Sequence, residues 1–345
     1  MRASVMPLLR RKWLVVFLGG FGTLLALVLL ARAKGPGEAP LPALRFAVPT
    51  QLSAGGVYVA AERKLFQKHN VDVRTRPFRL GMQALAAVLA GEADLALVAD
   101  TPFMLAVLKG QKIAAVAQAF GSRKAMALLA RADRGIATAD DLRGKRIGTV
   151  KGTNAQFFID VLLSTHGLSL ADVEVQSMSP QALPLALEAG EIDAATLWLP
   201  DLAMVRQRMG AQAVMIEGRD IFVYRMLIVG RTDYLDSHVA EVAQVLGAIA
   251  EATETIQAEP AQARAVIAAA IGLDPAVLQP AFAPADFQLQ LDQALLLALG
   301  DQARWAVRKG LASPVPGQDY RRLLHPQALQ RARPTAMRLV REVPR

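Results

Sequence analysis

Between Leu44 and Val229 the chain repeats one arrangement, a short apolar run followed by a stretch of helical period. Nothing else in the sequence restricts the fold as much. Runs at 44–48, 71–77, 94–98, 113–120 and 125–131 read as strands, with helical stretches at 56–69, 81–90 and 101–109 among them. A second series places strands at 146–150, 173–178, 193–199, 213–216 and 224–229 and helices at 155–166, 181–189 and 200–209. Thr138–Asp141 has capping-box spacing ahead of that series. Beyond Arg231 the pattern is helical, at about 233–258, 260–271, 274–281 and 291–309. Strands that alternate with helices predict parallel α/β sheets. Two series, the first completed by the later helices, predict two lobes with a cleft between them.

The two series share a spelling. Gly91-Glu-Ala-Asp94 and Gly190-Glu-Ile-Asp193 each end a helix at glycine and open a strand at aspartate. Such an echo is what two similar lobes leave in one chain.

Composition excludes several functions. Cysteine is absent, which removes disulfides, thiolate metal sites, cysteine nucleophiles and a lipidated N-terminal cysteine. The four histidines have no metal-ligand spacing, and no phosphate loop or nucleophile elbow is present. No cofactor and no metal are therefore expected, and the chain is not expected to be an enzyme. The formal charge of +9 is concentrated at the ends. Residues 1–35 hold six bases and no acid, residues 301–345 hold ten bases and three acids, and the middle is net −4. Basic ends around a mildly acidic body suit a targeting signal and an anionic membrane surface, not a nucleic-acid reader. An uncharged, largely apolar run of nineteen residues from Trp13 to Ala31 follows Arg10-Arg11-Lys12. That length reaches across a bilayer core, and bases on its N-terminal side predict a single-pass inner-membrane anchor with a cytoplasmic N-terminus and an extracytoplasmic body.

Four stretches carry a family resemblance: Leu44–Phe66 with Ala-Ala-Glu-Arg-Lys-Leu-Phe; Gly81-Met-Gln-Ala-Leu through Gly-Glu-Ala-Asp-Leu-Ala96; Ala139-Asp-Asp-Leu-Arg-Gly-Lys-Arg-Ile-Gly148 with Lys151-Gly-Thr; and Leu187-Glu-Ala-Gly-Glu-Ile-Asp-Ala194 leading to Trp198. In this order and spacing the chain resembles the periplasmic substrate-binding proteins of ABC importers, of the nitrate, sulfonate and taurine type that also includes thiamine-precursor binders. The resemblance implies a type II periplasmic-binding-protein fold. That fold is α/β and two-lobed, with two mixed or parallel sheets flanked by helices, here preceded by one transmembrane helix. It implies a small-molecule ligand, taken up for ABC-type import by permease and ATPase subunits on separate chains. A ligand-sensing receptor subunit and an enzyme on the same fold are the alternatives. The domains expected are 1–35, a basic segment with the anchor; 36–43, a linker; 44–125, the first part of lobe 1; 126–222, lobe 2; and 223–345, the rest of lobe 1 with its basic tail.

Ligands on open α/β sheets sit at strand-to-helix loops, so candidates are sought there. Gly152, Thr153 and Asn154 precede one helix, where unpaired N–H groups attract an anion or polar head group. Thr101 follows the strand at 94–98 in the same way. Gln51, Ser53, Gly55 and Gly56 form the first loop, whose small residues allow close backbone approach. Arg79 is placed to pair with an anion, and Met82 begins the helix after it. Trp198 is placed to stack on a ligand, and Phe120 and Tyr224 lie near the crossings between lobes.

Overall fold

A computed structural model describes residues 41, 43–218, 221–283, 285–314 and 317–339. The expected anchor at 13–31 lies outside these residues. Among the described residues no single helix is long and apolar enough to cross a membrane.

The first series forms β1 (Ala43–Pro49), α1 (Gly55–Glu62), α2 (Leu65–Lys68), β2 (Asp72–Phe78), α3 (Gly81–Leu89), β3 (Leu95–Ala99), α4 (Asp100–Leu108) and β4 (Ile113–Ser122). The second forms β5 (Met126–Arg131), β6 (Arg146–Thr149), α5 (Asn154–Thr165), β7 (Glu174–Ser177), α6 (Ala182–Ala189), β8 (Ala194–Trp198), α7 (Asp201–Met209) and β9 (Ala213–Ile216). The chain then returns through β10 (Tyr224–Arg231) to α8 (Thr232–Ser237), α9 (Val239–Ala258), α10 (Pro260–Ile271), α11 (Pro275–Phe282), β11 (Leu291–Asp292), α12 (Gln293–Arg308), α13 (Gln327–Ala332) and β12 (Met337–Arg338).

Two five-stranded sheets result, in the orders β2-β1-β3-β10-β4 and β7-β6-β8-β5-β9. Alternation alone predicts parallel sheets, yet both are mixed. β10 runs antiparallel to β3 and β4, and β5 runs antiparallel to β8 and β9. The reversed strand in each sheet is the one that arrives from the other lobe. It enters directly, without the crossover helix that a parallel strand requires. Strands β3 and β8 are buried at all five positions, as central strands covered on both faces should be; the one polar residue, Thr196, donates its hydroxyl to Thr149 Oγ1 at 2.9 Å.

Two expected helices are divided. The 56–69 stretch breaks at Lys64, which takes a left-handed φ of 54°. The 233–258 stretch breaks at His238, where the Ser237 hydroxyl donates to the Asp233 carbonyl at 2.9 Å and competes with the next helical turn.

The sequence echo has a physical cause. In the first lobe the backbone N–H and Nε of Arg45 donate to Asp94 Oδ2, its Nη2 donates to Asp94 Oδ1, and its Nη1 donates to the Gly91 carbonyl. In the second lobe Arg146 makes the corresponding bonds to Asp193 and to the Gly190 carbonyl. Gly91 and Gly190 both have φ of 74°, a left-handed conformation that glycine adopts without strain. Each arginine sits on the lobe's first parallel strand, so the motif fastens a helix end to a strand start. Arg146 is the main reason the Asp193 carboxyl lies below the usual range. The reversed strands match as well. Arg131 pairs with Asp133 at the end of β5, and Arg231 pairs with Asp233 at the end of β10.

Candidate functional site

The crossings leave the two sheets facing one another across a cleft. At its bottom is a cavity lined by Gln51, Leu80, Gly81, Met82, Ala99, Pro102, Thr153, Asn154, Trp198, Tyr224 and Met226. The cavity is about 10 Å³, room for roughly one water. Residues of both lobes close around it. Outside it opens a wider pocket of about 470 Å³, shared by Gln51, Leu80 and Trp198 and walled further by Phe78, Arg79, Leu199 and Asp201.

Helix starts from opposite lobes meet at the cavity. Leu80, Gly81 and Met82 bring the first turn of α3, and Thr153 and Asn154 bring that of α5. The first N–H groups of a helix have no partner within it and carry the positive end of its dipole. Thr153 is the N-cap of α5. Its Oγ1 accepts from the Ala155 N–H at 3.2 Å and donates to the Val150 carbonyl at 2.7 Å, which holds the loop rigid. At α3 the Gln83 Oε1 accepts from the Leu80 N–H at 3.2 Å. Gly81 stands where any side chain collides: a Cβ would lie 2.9 Å from the Leu97 carbonyl oxygen and from Val98 Cα. Glycine there lets α3 start directly against β3.

A third helix start, that of α4, contributes Ala99 and Pro102, but its donors are already committed. Proline has no N–H, and the Thr101 N–H donates to Asp100 Oδ1 at 2.9 Å. Asp100 is fully buried with Oδ2 unpartnered, and burial pushes its carboxyl up to about 6 despite the nearby Arg225 charge. Across the cavity Tyr224 donates its hydroxyl to Gln51 Oε1 at 3.0 Å, and burial raises the phenol's pKa well above its usual value.

Six of the thirteen candidates, Gln51, Met82, Thr153, Asn154, Trp198 and Tyr224, line the cavity together. The others are placed elsewhere, each for a physical reason. A Cβ on Gly55 would lie 2.6 Å from side-chain atoms of Ile267 and Phe287, and one on Gly56 3.2 Å from Ile249. These glycines let α1 pack on α9 and α10 and do not open a path to a ligand. Ser53 is buried in the short turn before α1, with its hydroxyl unpartnered. Thr101 is completely buried, and its neighbour Pro102 takes the lining position. Phe120 stands behind Tyr224, edge-on to it with ring centroids 5.9 Å apart, inside the first lobe's core. Gly152 gives its N–H to Gln156 Oε1 at 2.8 Å and does not reach the cavity. Arg79 lies on the outer pocket, paired with Asp201 of the other lobe at 2.5 Å. Burial raises the Asp201 carboxyl, and Arg79 opposes that shift. The residues that sequence reasoning missed, Leu80, Gly81, Ala99, Pro102 and Met226, have side chains without chemical function.

A second bridge joins the lobes behind the cavity. Asp160 of α5 accepts from Trp305 Nε1 of α12 at 3.0 Å and pairs with Lys309 at 2.7 Å. Among the described residues no group of three or more His, Asp or Glu side chains is arranged to hold a metal ion.

Comparison with known proteins places this geometry. Residues 51–263 match the family model described as NMT1/THI5 like. A Brucella abortus (strain 2308) protein named "Putative binding protein" is 26% identical over 224 residues, 64% of this chain and 69% of its own length. The structure superposes on the periplasmic aliphatic sulphonate binding protein SsuA of Escherichia coli with a TM-score of 0.71 at 21% identity, covering 82% of this chain and 97% of that one. It superposes equally, at 0.71 and 24% identity, on the alkanesulfonate-binding protein SsuA of Xanthomonas axonopodis pv. citri bound to MOPS, covering 80% and 96%. These likenesses establish the two-lobed periplasmic-binding-protein fold.

Proposed function

The chain belongs to the NMT1/THI5-like family, and from that membership and the form of its cavity we propose that it is an extracytoplasmic solute-binding protein. Its ligand is a small anion of the sulfonate kind. One observation carries the reading: helix starts from opposite lobes converge on one cavity with no charged side chain in its wall. The helix dipoles there, with the first-turn N–H groups that the caps leave over, stabilise negative charge and repel a cation. The hydroxyl of Tyr224 and the amides of Gln51 and Asn154 add polar contacts, and Trp198 offers an aromatic face. The names of the relatives, which include an aliphatic sulfonates-binding and a taurine-binding periplasmic protein of Escherichia coli, support the same ligand class.

In this account the lobes rotate about the two crossings to admit the ligand and close on it. The closed form is presented to a permease and ATPase on separate chains. The apolar run at 13–31 holds the binder at the inner membrane, which raises its concentration near that permease. A thermal-shift screen of the full-length protein against nitrate, bicarbonate, alkyl and aryl sulfonates, taurine and pyrimidine precursors tests the proposal. A ligand at about 100 times its Kd adds about 2.7 kcal/mol to stability. Saturable stabilisation by a sulfonate, abolished by Asn154→Trp, is the expected result. Stabilisation by neutral or cationic solutes alone would refute it.

A further inference from the structure

Strand β10 has two faces. Tyr224 and Met226 face the ligand cavity, while Arg225 between them points to the other side of the sheet. There it lines a separate pocket of about 300 Å³. The pocket is built at the hinge from both lobes: Arg123 comes from the first crossing, Phe222 from the second, Phe157 from α5, and Leu297 and Gln302 from α12.

Arg225 is the charge there that bears on a ligand. Arg225 is partly buried, and its described contact is a long hydrogen bond to the Val223 carbonyl at 3.4 Å. Among the described residues no carboxylate forms an ion pair with it. Asp100 acts on it electrostatically through the wall but does not reach it. Asp301, which also lines the pocket, is already paired with Arg304 at 2.5 Å. A partly buried guanidinium that no carboxylate touches keeps donors unused, and it favours a ligand that supplies charged acceptors. The remaining wall is aromatic and aliphatic. Phe157 and Phe222 lie with ring centroids 6.2 Å apart, and Leu297 stands on the rim at 61% exposure.

We propose that this hinge pocket is a second ligand site, separate from the cleft, which takes a small aromatic carboxylate with its carboxylate on Arg225 and its ring against Phe157 and Phe222. A ligand there touches both crossings, about which the lobes turn.

The test is a fluorine NMR titration of the full-length protein with 4-fluorobenzoate, with 4-fluorobenzyl alcohol as the neutral counterpart. The acid is expected to bind saturably and the alcohol at least about tenfold more weakly, in line with the loss of one charge-assisted contact. Arg225→Gln should weaken binding of the acid about tenfold or more. Leu297→Glu, at an exposed position that folding tolerates, should also weaken it by repulsion. Asn154→Trp, which blocks the cleft, should leave it unchanged. Absence of saturable binding, equal binding of acid and alcohol, or loss of binding in Asn154→Trp alone would overturn the assignment.

Discussion

Asp100→Asn is a perturbation whose size follows from the structure. Asp100 opens α4 with no exposed surface, and one carboxylate oxygen lacks a partner. Burial raises its carboxyl from the ordinary 3.8 to about 6, against the pull of Arg225, Gln302 and the Thr101 N–H. That displacement corresponds to about 3 kcal/mol of linked stability. Between the two values the folded protein holds a proton that the unfolded chain has released, so stability falls as pH rises. The cost is nearly absent below about pH 4 and complete above about pH 6. Several other carboxylates, Asp193 and Glu251 among them, have lowered values and act in the opposite sense. Asparagine mimics the protonated acid, so comparison of variant with parent at each pH isolates Asp100. Denaturant unfolding of both from pH 4 to pH 7 should show the variant gaining on the parent by about 3 kcal/mol across the window. A gap that stays constant with pH would refute the reasoning. Because Ala99 and Pro102 line the cavity on either side of Asp100, the variant should also hold a sulfonate more tightly at pH 7.

Other substitutions bear on the remaining parts of the account. Gly81→Ala drives a methyl group into the backbone of β3; it should lower stability by about 1–3 kcal/mol in denaturant unfolding and displace the start of α3, weakening ligand binding measured by calorimetry. Arg79→Gln breaks a partly exposed pair between lobes; stability should change by less than about 1 kcal/mol, while stopped-flow release of ligand becomes faster. Asp160→Ala removes the acceptor of the buried Trp305 Nε1–H and the partner of the solvent-exposed Lys309; a loss of about 1–3 kcal/mol is expected in the same unfolding assay.

Some parts of this structure are legible in sequence and others are not, for reasons that can be named. Most strand and helix positions follow from apolar period because those elements bury one face or both, the edge strands β2 and β7 being exceptions with no buried residue. The duplication is legible at Gly91–Asp94 and Gly190–Asp193, since a left-handed glycine and an arginine-bound aspartate tolerate few replacements. Strand direction is not legible in that period: β5 and β10 are as apolar as the strands they run against. At the site, Thr153, Asn154, Gln51, Trp198 and Tyr224 are visible because polar or aromatic groups at strand ends imply contacts. Ala99, Pro102 and Met226 give no such signal. Gly55 and Gly81 look equivalent in sequence, and only their neighbours separate them. Ile267, more than two hundred residues from Gly55, occupies the space beside it, whereas Gly81 borders the cavity.

The central claim is that backbone groups at the starts of α3 and α5, with no cationic side chain, hold the ligand's negative charge. A crystal structure of the protein with an alkanesulfonate bound tests it most directly. The account predicts the sulfonate oxygens within hydrogen-bond distance of N–H groups in the first turns of both helices, with Arg79 still paired to Asp201. A sulfonate held instead by an arginine side chain, or bound outside the cavity between the lobes, would contradict it.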